Sequence, residues 1–218
     1  MAKLPLAVLI SGQGSNMLAI ANACRDGQVN ARVAIVLSDR GDAPGIAAAD
    51  AMGLDTAVIE ARTYAGRAPL ETALSEAIDR SGAELVALAG FMRILSAGFV
   101  QRYTGRLLNI HPSLLPRYKG LHTHRRVIAA HEREHGASVH FVSDELDGGP
   151  VLCQAHVTVR AEDSEQSLAA RVLRLEHRLY PRAIGLIAAG RVKLHGSTIM
   201  LDEHALAAPL VEDEPCPE

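Results

Sequence analysis

Short apolar runs alternate with segments of helical periodicity along most of this chain, and this alternation restricts the fold more than any other feature. Repeated strand–helix units predict an α/β fold with a mostly parallel central sheet and helices on both faces. The predicted strands span residues 6–11, 32–38, 56–59, 84–89, 107–111, 139–142 and 151–159. The predicted helices span residues 17–26, 45–52, 67–80, 124–134 and 164–189, and residues 192–201 are expected to form a hairpin. Pro181 is expected to kink or interrupt the last helix.

The length and composition fit one globular domain. The chain has 218 residues, 48% of them hydrophobic, and we assign a single α/β domain to residues 1–204. Residues 205–218 end in the acidic run V-E-D-E-P-C-P-E and are expected to be loose. A net charge of −3 argues against nucleic acid or an anionic membrane as the main partner. No apolar run approaches the roughly 20 residues that a membrane helix needs.

The cysteines indicate the compartment. There are three, widely spaced and without a C-x-x-C pair: Cys24, Cys153 and Cys216. An odd and scattered set fits reduced thiols better than a disulfide framework, so a cytoplasmic protein is predicted.

The segment G-Q-G-S-N lies between the first predicted strand and the first predicted helix. Glycine lets the backbone approach a ligand closely, and a helix N-terminus presents N–H groups and a positive dipole to an anion. Gly14, Ser15 and Asn16 are therefore candidates for binding a phosphate. Met17 stands where a dinucleotide fingerprint has its third glycine, and the G-K-[ST] ending of a Walker loop is absent. A tight turn with a capped helix explains the same residues equally well.

A polar set lies in the middle of the chain. Asn109 and His111 alternate at the carboxyl end of a predicted strand, so their side chains point to one face. Asp147 lies in the D-E-L-D-G-G-P loop after another predicted strand, from which it could fold back onto His111. An imidazole beside a carboxylate can transfer protons, and the amide of Asn109 can donate to an oxyanion. Each residue alone has an ordinary structural explanation. No Ser or Cys in a nucleophile elbow accompanies the set, which favours direct transfer over a covalent intermediate.

The run H-E-R-E-H at residues 131–135 matches the zinc-protease motif H-E-x-x-H. His135 is followed at once by Gly136 and a predicted strand, so the two histidines would lie at the fraying end of a helix. The polar residues between them fit a solvated surface. We therefore predict no metal site, and a metalloprotease remains an alternative.

Five longer motifs resemble one enzyme family: I-S-G-Q-G-S-N, L-A-G-F-M-R-I-L-S, L-L-N-I-H-P-S-L-L-P-R-Y-K-G-L-H-T-H-R, S-V-H-F-V-S-D-E-L-D-G-G-P-V-L-C-Q and R-L-E-H-R-L-Y-P. They are similar to the folate-dependent phosphoribosylglycinamide formyltransferases, or glycinamide ribonucleotide transformylases. The resemblance covers about residues 5–200 in unbroken order. It implies a Rossmann-like formyltransferase fold, 10-formyltetrahydrofolate as the formyl donor and no metal.

The resemblance also implies roles for individual residues. The family's catalytic residues are matched by Asn109, His111 and Asp147. Its ribonucleotide-binding residues are matched by Gly14, Ser15, Asn16 and Glu176, the last at the ribose hydroxyls. Its folate-binding residues are matched by Arg67, Met92, Arg93, Ile94, Leu95 and Asn109. Gln13 and Lys119 depart from the Asn and Pro common in the family, and Lys119 could alter how its loop closes.

The implied reaction transfers a formyl group from 10-formyltetrahydrofolate to the free amine of glycinamide ribonucleotide in purine biosynthesis. These two small molecules are the expected partners, and neither nucleic acid nor a membrane is expected to bind. The protein is expected to be a monomer or a weak homodimer. A formyltetrahydrofolate deformylase, which uses water as the acceptor, and a non-catalytic nucleotide-binding module remain alternatives. A methionyl-tRNA formyltransferase normally adds an RNA-binding domain, for which this chain has neither the length nor the basic patch.

Overall fold

The computed structural model describes residues 2–214. The strands are β1 (Leu4–Ile10), β2 (Ala31–Ser38), β3 (Thr56–Val58), β4 (Leu85–Leu88), β5 (Leu107–His111), β6 (Glu134–Phe141), β7 (Val151–Thr158), β8 (Val192–His195), β9 (Thr198–Leu201), β10 (His204–Ala205) and β11 (Leu210–Asp213). The α-helices are α1 (Ser15–Arg25), α2 (Pro44–Ala51), α3 (Arg67–Ser81), α4 (Ala97–Arg102), α5 (Thr123–Ala129) and α6 (Glu165–Ala188). Every predicted strand and helix occurs, whereas α4, β10 and β11 were not predicted.

The main sheet has the strand order β11-β7-β6-β5-β4-β1-β2-β3. Its neighbours are parallel except at β6, which runs antiparallel to both β5 and β7. A mostly parallel sheet flanked by helices confirms the predicted α/β class. The carboxyl ends of β1, β2, β4 and β5 open on the same edge, which is where open α/β sheets bind ligands. The predicted hairpin is also present, as β8 and β9 of a separate three-stranded sheet.

The central strands supply two cores because successive side chains point to opposite faces. In β1, Val8 and Ile10 belong to a buried cluster that includes side chains of α1 and α6. Ala7 and Leu9 belong to a second cluster with side chains of α3 and α4. Burial on both faces explains why the central strands are continuously apolar in the sequence.

The long helix α6 begins with a capping box. Ser164 accepts a hydrogen bond from the backbone N–H of Ser167, and the Ser167 side chain accepts one from the Ser164 backbone. The helix continues through Pro181, so the expected interruption does not occur. The buried side chains of Tyr180 and Ala183 on either side of the proline hold this part of α6 in the core.

Helix α5 is shorter than predicted. It ends at Ala129 instead of residue 134, and β6 begins at Glu134. His131 has a left-handed backbone conformation, with φ of 51°, which cannot continue a right-handed helix.

The acidic tail was expected to be loose, and for residues 205–214 this prediction is wrong. Strand β11 pairs in parallel with β7 at the edge of the main sheet. The buried guanidinium of Arg171 holds Glu214 with hydrogen bonds of 3.0 and 2.6 Å, and Arg182 pairs with Glu212. The rest of the predicted tail, including Cys216, lies outside the described residues. No helix within residues 2–214 is both long and apolar enough to span a membrane.

Candidate active site

Antiparallel pairing of β5 with β6 places Asn109 directly opposite His140. The Asn109 Nδ2 atom lies 3.1 Å from His140 Nε2, and His140 Nδ1 lies 3.0 Å from the carbonyl oxygen of Phe141. Because a carbonyl only accepts, the proton of His140 lies on Nδ1, and Nε2 accepts from the amide of Asn109. Burial lowers the pKa of His140, so the ring is neutral and fixes the orientation of Asn109.

His111 lies two residues further along β5, on the same face. Its Nε2 atom lies 3.0 Å from the carbonyl oxygen of Tyr118, and its Nδ1 atom lies 3.4 Å from Asp147 Oδ2. Both ring nitrogens therefore face oxygen acceptors. Only the doubly protonated imidazolium can donate toward both of them.

Asp147 reaches His111 on the loop that joins β6 to β7. It has φ of 49°, and its Oδ2 atom accepts the backbone N–H of Gly120 at 2.9 Å. Its Oδ1 atom lies 3.9 Å from His140 Nε2. The loop closes tightly at Gly149, where an added Cβ would lie 1.9 Å from the Phe141 carbonyl oxygen. The fold therefore brings together Asn109, His111 and Asp147, as their sequence positions suggested.

The segment after β5 closes over this set. Ser138 on β6 anchors it, because its Oγ atom accepts the backbone N–H of Leu115 at 3.0 Å and donates to the Ser113 carbonyl at 2.7 Å. Further on, Lys119 Nζ lies 2.6 Å from Glu145 Oε1, which links this segment to the loop of Asp147. Lys119, one of the two departures from the family pattern, thus makes a contact between the two loops.

A cavity of about 490 Å³, here called the central cleft, borders the three polar side chains. Met92, Arg93 and Ile94 also line this cleft, and so do the exposed side chains of Leu121 and Leu146. Leu95 and Asn109 share a smaller neighbouring cavity. Arg67 is not in the wall of the central cleft. It lines a separate cavity of about 450 Å³ together with Met92, Arg93, Ile94 and Leu95.

The candidate phosphate loop lies at the N-terminus of α1. Gly14 has φ of 73°, and an added Cβ would lie 2.9 Å from Gly45 Cα, so only glycine fits there. Ser15 is the first residue of α1. Asn16 donates from Nδ2 to Glu176 Oε2 at 2.7 Å, while its buried Oδ1 atom has no hydrogen-bond partner in the described structure. Burial raises the pKa of Glu176 to about 7, against the opposing effect of the Asn16 hydrogen bond.

The H-E-R-E-H run does not form a zinc-protease helix. His131 follows the end of α5, whereas His135 is buried in β6. His135 contacts His124 instead, with 3.0 Å between His124 Nδ1 and His135 Nε2. Burial, and secondarily the neighbouring His124, lowers the pKa of His135 to about 3. Among residues 2–214, no group of three or more His, Cys, Asp or Glu side chains is arranged to bind a metal ion.

Two groups that support the site were not predicted from the sequence. His140 orients Asn109, and its alternation with Ser138 in S-V-H-F-V was the available signal. The hydrogen-bonded network of Ser11 and Asp39 with Arg93 was also not predicted, because its members follow three different strands. Nothing in the local sequence marks Asp39 as a partner of Arg93.

Comparison with known proteins now defines the class. A model of the formyl transferase family matches residues 4–184, and the chain belongs to this family.

Within the family, the chain groups with the phosphoribosylglycinamide formyltransferases. It is 49% identical to the protein of that name from Escherichia coli K12 over 201 residues, 92% of this chain and 95% of the relative. The Haemophilus influenzae protein of the same name is 40% identical over 92% of this chain and 95% of its own length. The structure of the phosphoribosylglycinamide formyltransferase from Coxiella burnetii is similar with a TM-score of 0.92 and 43% identity, covering 96% of this chain and 99% of that one.

Proposed function

We propose that this protein transfers the formyl group of 10-formyltetrahydrofolate to the free amine of glycinamide ribonucleotide, and that Asn109, His111 and Asp147 catalyse the transfer. The relatives named for this activity align with this chain over 95% of their own length. The products would be formylglycinamide ribonucleotide and tetrahydrofolate, in purine biosynthesis in the cytoplasm.

The observation that carries the proposal is that these three side chains all line the central cleft. The 3.4 Å separation of His111 Nδ1 and Asp147 Oδ2 pairs an imidazole with a carboxylate. The second N–H of the Asn109 amide is not used by His140 and can donate to a ligand. A proton-transfer pair of imidazole and carboxylate beside an amide donor is the arrangement that acyl transfer through an oxyanion requires.

In the proposed mechanism, the amine of the ribonucleotide attacks the formyl carbon and a tetrahedral intermediate forms. The Asn109 amide donates a hydrogen bond to its oxyanion, the positive charge of the His111 imidazolium stabilises it, and the Asp147 carboxylate balances that charge. The attacking nitrogen loses a proton and the folate nitrogen gains one, directly or through a water. The carbon–nitrogen bond to the folate then breaks.

The two substrates are assigned to two ends of the site. Gly14, Ser15 and Asn16 would bind the phosphate at the N-terminus of α1, and Glu176 the ribose hydroxyls. The folate would lie in the central cleft against Met92, Arg93, Ile94 and Asn109, with Leu95 in the two neighbouring cavities and Arg67 in the separate cavity described above. We propose that the protein needs no metal and acts as a monomer or weak homodimer.

The test is to incubate the purified protein with both substrates and to identify the products by mass spectrometry. Formylglycinamide ribonucleotide and tetrahydrofolate in equal amounts are expected. Release of formate without the ribonucleotide would instead indicate a deformylase, and binding of the ribonucleotide without turnover would indicate a non-catalytic module. Asn109→Ala is expected to lower turnover by about 10²–10³-fold, the usual effect of removing one oxyanion donor.

A further inference from the structure

Ser11, Asp39 and Arg93 form a hydrogen-bonded network that the mechanism above does not use. The side chain of Asp39 is 2% exposed. Its Oδ1 atom accepts a hydrogen bond from Ser11 Oγ at 2.6 Å, and its Oδ2 atom accepts one from Arg93 Nε at 2.6 Å. Ser11 Oγ in turn accepts the backbone N–H of Met92 at 2.9 Å. Both oxygens of this buried carboxylate are therefore paired, one of them with a cation.

The network connects residues that follow the carboxyl ends of three adjacent strands. Ser11 follows β1, Asp39 follows β2, and Met92 and Arg93 follow β4 on the other side of β1. Residues 12–16, which begin next to Ser11, form the loop assigned to the ribonucleotide phosphate. Residues 92–95 form the segment assigned to the folate. Asp39 thus connects the acceptor end of the site to the donor end.

The two ends depend on Asp39 to different degrees. The 12–16 loop has other support, because Gly12 O accepts the backbone N–H of Gly45 at 3.0 Å and Ser15 is the first residue of α1. Residues 92–95 belong to no helix or strand. In the part of the chain that the structure describes, the hydrogen bonds of Met92 and Arg93 run to Ser11 and Asp39. Loss of the carboxylate should therefore release the folate segment first.

We propose that Asp39 is a positioning residue that holds residues 92–95 against the 12–16 loop and thereby sets the affinity for the formyl-folate. The identity of the two ligands rests on the proposed function. The carboxylate is almost completely buried, so it acts through Arg93 and Ser11 and not by contact with a substrate.

The test compares the kinetics of Asp39→Asn with those of the wild-type protein. An asparagine has one acceptor oxygen, so either Ser11 or Arg93 must face an N–H₂ group. We expect the KM for 10-formyltetrahydrofolate to rise by about tenfold, the lower end of the effect of a hydrogen bond to a charged group. The KM for the ribonucleotide should stay within about twofold and kcat within about threefold, since no reacting group moves.

Two further variants separate positioning from a general loss of stability. Ser11→Ala removes the link to Met92 and should produce the same rise in the folate KM. The double variant should show no more than the larger single effect, because both changes act on one network. Asp42→Asn is the matched control: Asp42 also pairs with an arginine, Arg40, but in solvent, and its loss should change neither KM.

A folate KM within about twofold of wild type in both Asp39→Asn and Ser11→Ala would overturn the proposal, and so would a parallel loss of kcat and of both affinities. If Asp39→Asn does not fold, Ser11→Ala decides alone. Calorimetric titration with tetrahydrofolate, without ribonucleotide, should show the same tenfold weakening. A wild-type protein that binds tetrahydrofolate but transfers no formyl group refutes the proposed function, while this titration still tests the role of Asp39.

Discussion

Replacing Asp147 with asparagine tests the proposed mechanism most directly. The change keeps the size of the side chain and an oxygen that can accept the N–H of Gly120, but it removes the negative charge 3.4 Å from His111 Nδ1. At that distance and an effective dielectric constant of about 20, the pair interacts by about 5 kcal/mol. Because about 1.4 kcal/mol in the barrier changes a rate tenfold, kcat is expected to fall by about 10³–10⁴-fold. Both KM values should stay within about threefold.

Formation of tetrahydrofolate, followed by absorbance under saturating substrates, measures the effect. Asp144→Asn provides the control, because Asp144 lies on the same loop but is exposed, and the same chemical change there should leave kcat unaltered. A folded Asp147→Asn protein that retains more than about one tenth of the wild-type kcat would refute the role given to the carboxylate.

Three further predictions concern groups around the site and the core. Since the pKa of Glu176 is about 7, its carboxylate becomes protonated as the pH falls from 8 to 6. The KM for the ribonucleotide should rise by about tenfold over that range. Glu176→Gln should abolish this dependence of KM on pH. The pKa of His135 is about 3 in the folded state against an ordinary 6.5, so between these values the unfolded state binds a proton that the folded state does not. The free energy of unfolding, measured by denaturant titration, should therefore fall by up to about 1.4 kcal/mol for each pH unit below 6.5. The fall should be smaller in His135→Gln. Arg171→Ala removes the cation shared by Asp163 and Glu214 and should lower the free energy of unfolding by about 3 kcal/mol; a loss below about 1 kcal/mol would contradict this.

The local sequence pattern was sufficient to predict which side chains lie at the carboxyl ends of the strands. It was not sufficient to predict the direction of β6. The two-residue period places Asn109 and His111 on one face whatever the neighbouring strand does. The direction of β6 depends on pairing with distant residues. Because β6 is antiparallel, Phe141 at its end lies beside Leu108 and not beside His111, so the loop of Asp147 has to fold back over the sheet. His140 becomes an obvious partner of Asn109 only when this pairing is known.

The acidic tail shows the limit of composition as a guide. A run of acidic residues and prolines without large apolar side chains suggests disorder, because it offers little surface to bury. Here Glu212 and Glu214 find Arg182 and Arg171 on α6, and the backbone of β11 completes the edge of β7. These cations lie more than 25 residues away in sequence, and no local pattern relates them to the tail.

The antiparallel strand also explains how a loop residue can be held accurately enough for the role proposed for Asp147. A loop after a parallel strand would be paired at one end only and would continue into a crossover helix. The loop of Asp147 instead closes the β6–β7 hairpin, and the backbone N–H of Phe141 donates to the Pro150 carbonyl at 3.0 Å where it closes. Within the loop, the Asp147 carboxylate accepts from Gly120, and Lys119 pairs with Glu145. Pairing at both ends and contact with the neighbouring loop restrict the carboxylate before any substrate binds, and such preorganisation is what makes a charge effective in a transition state.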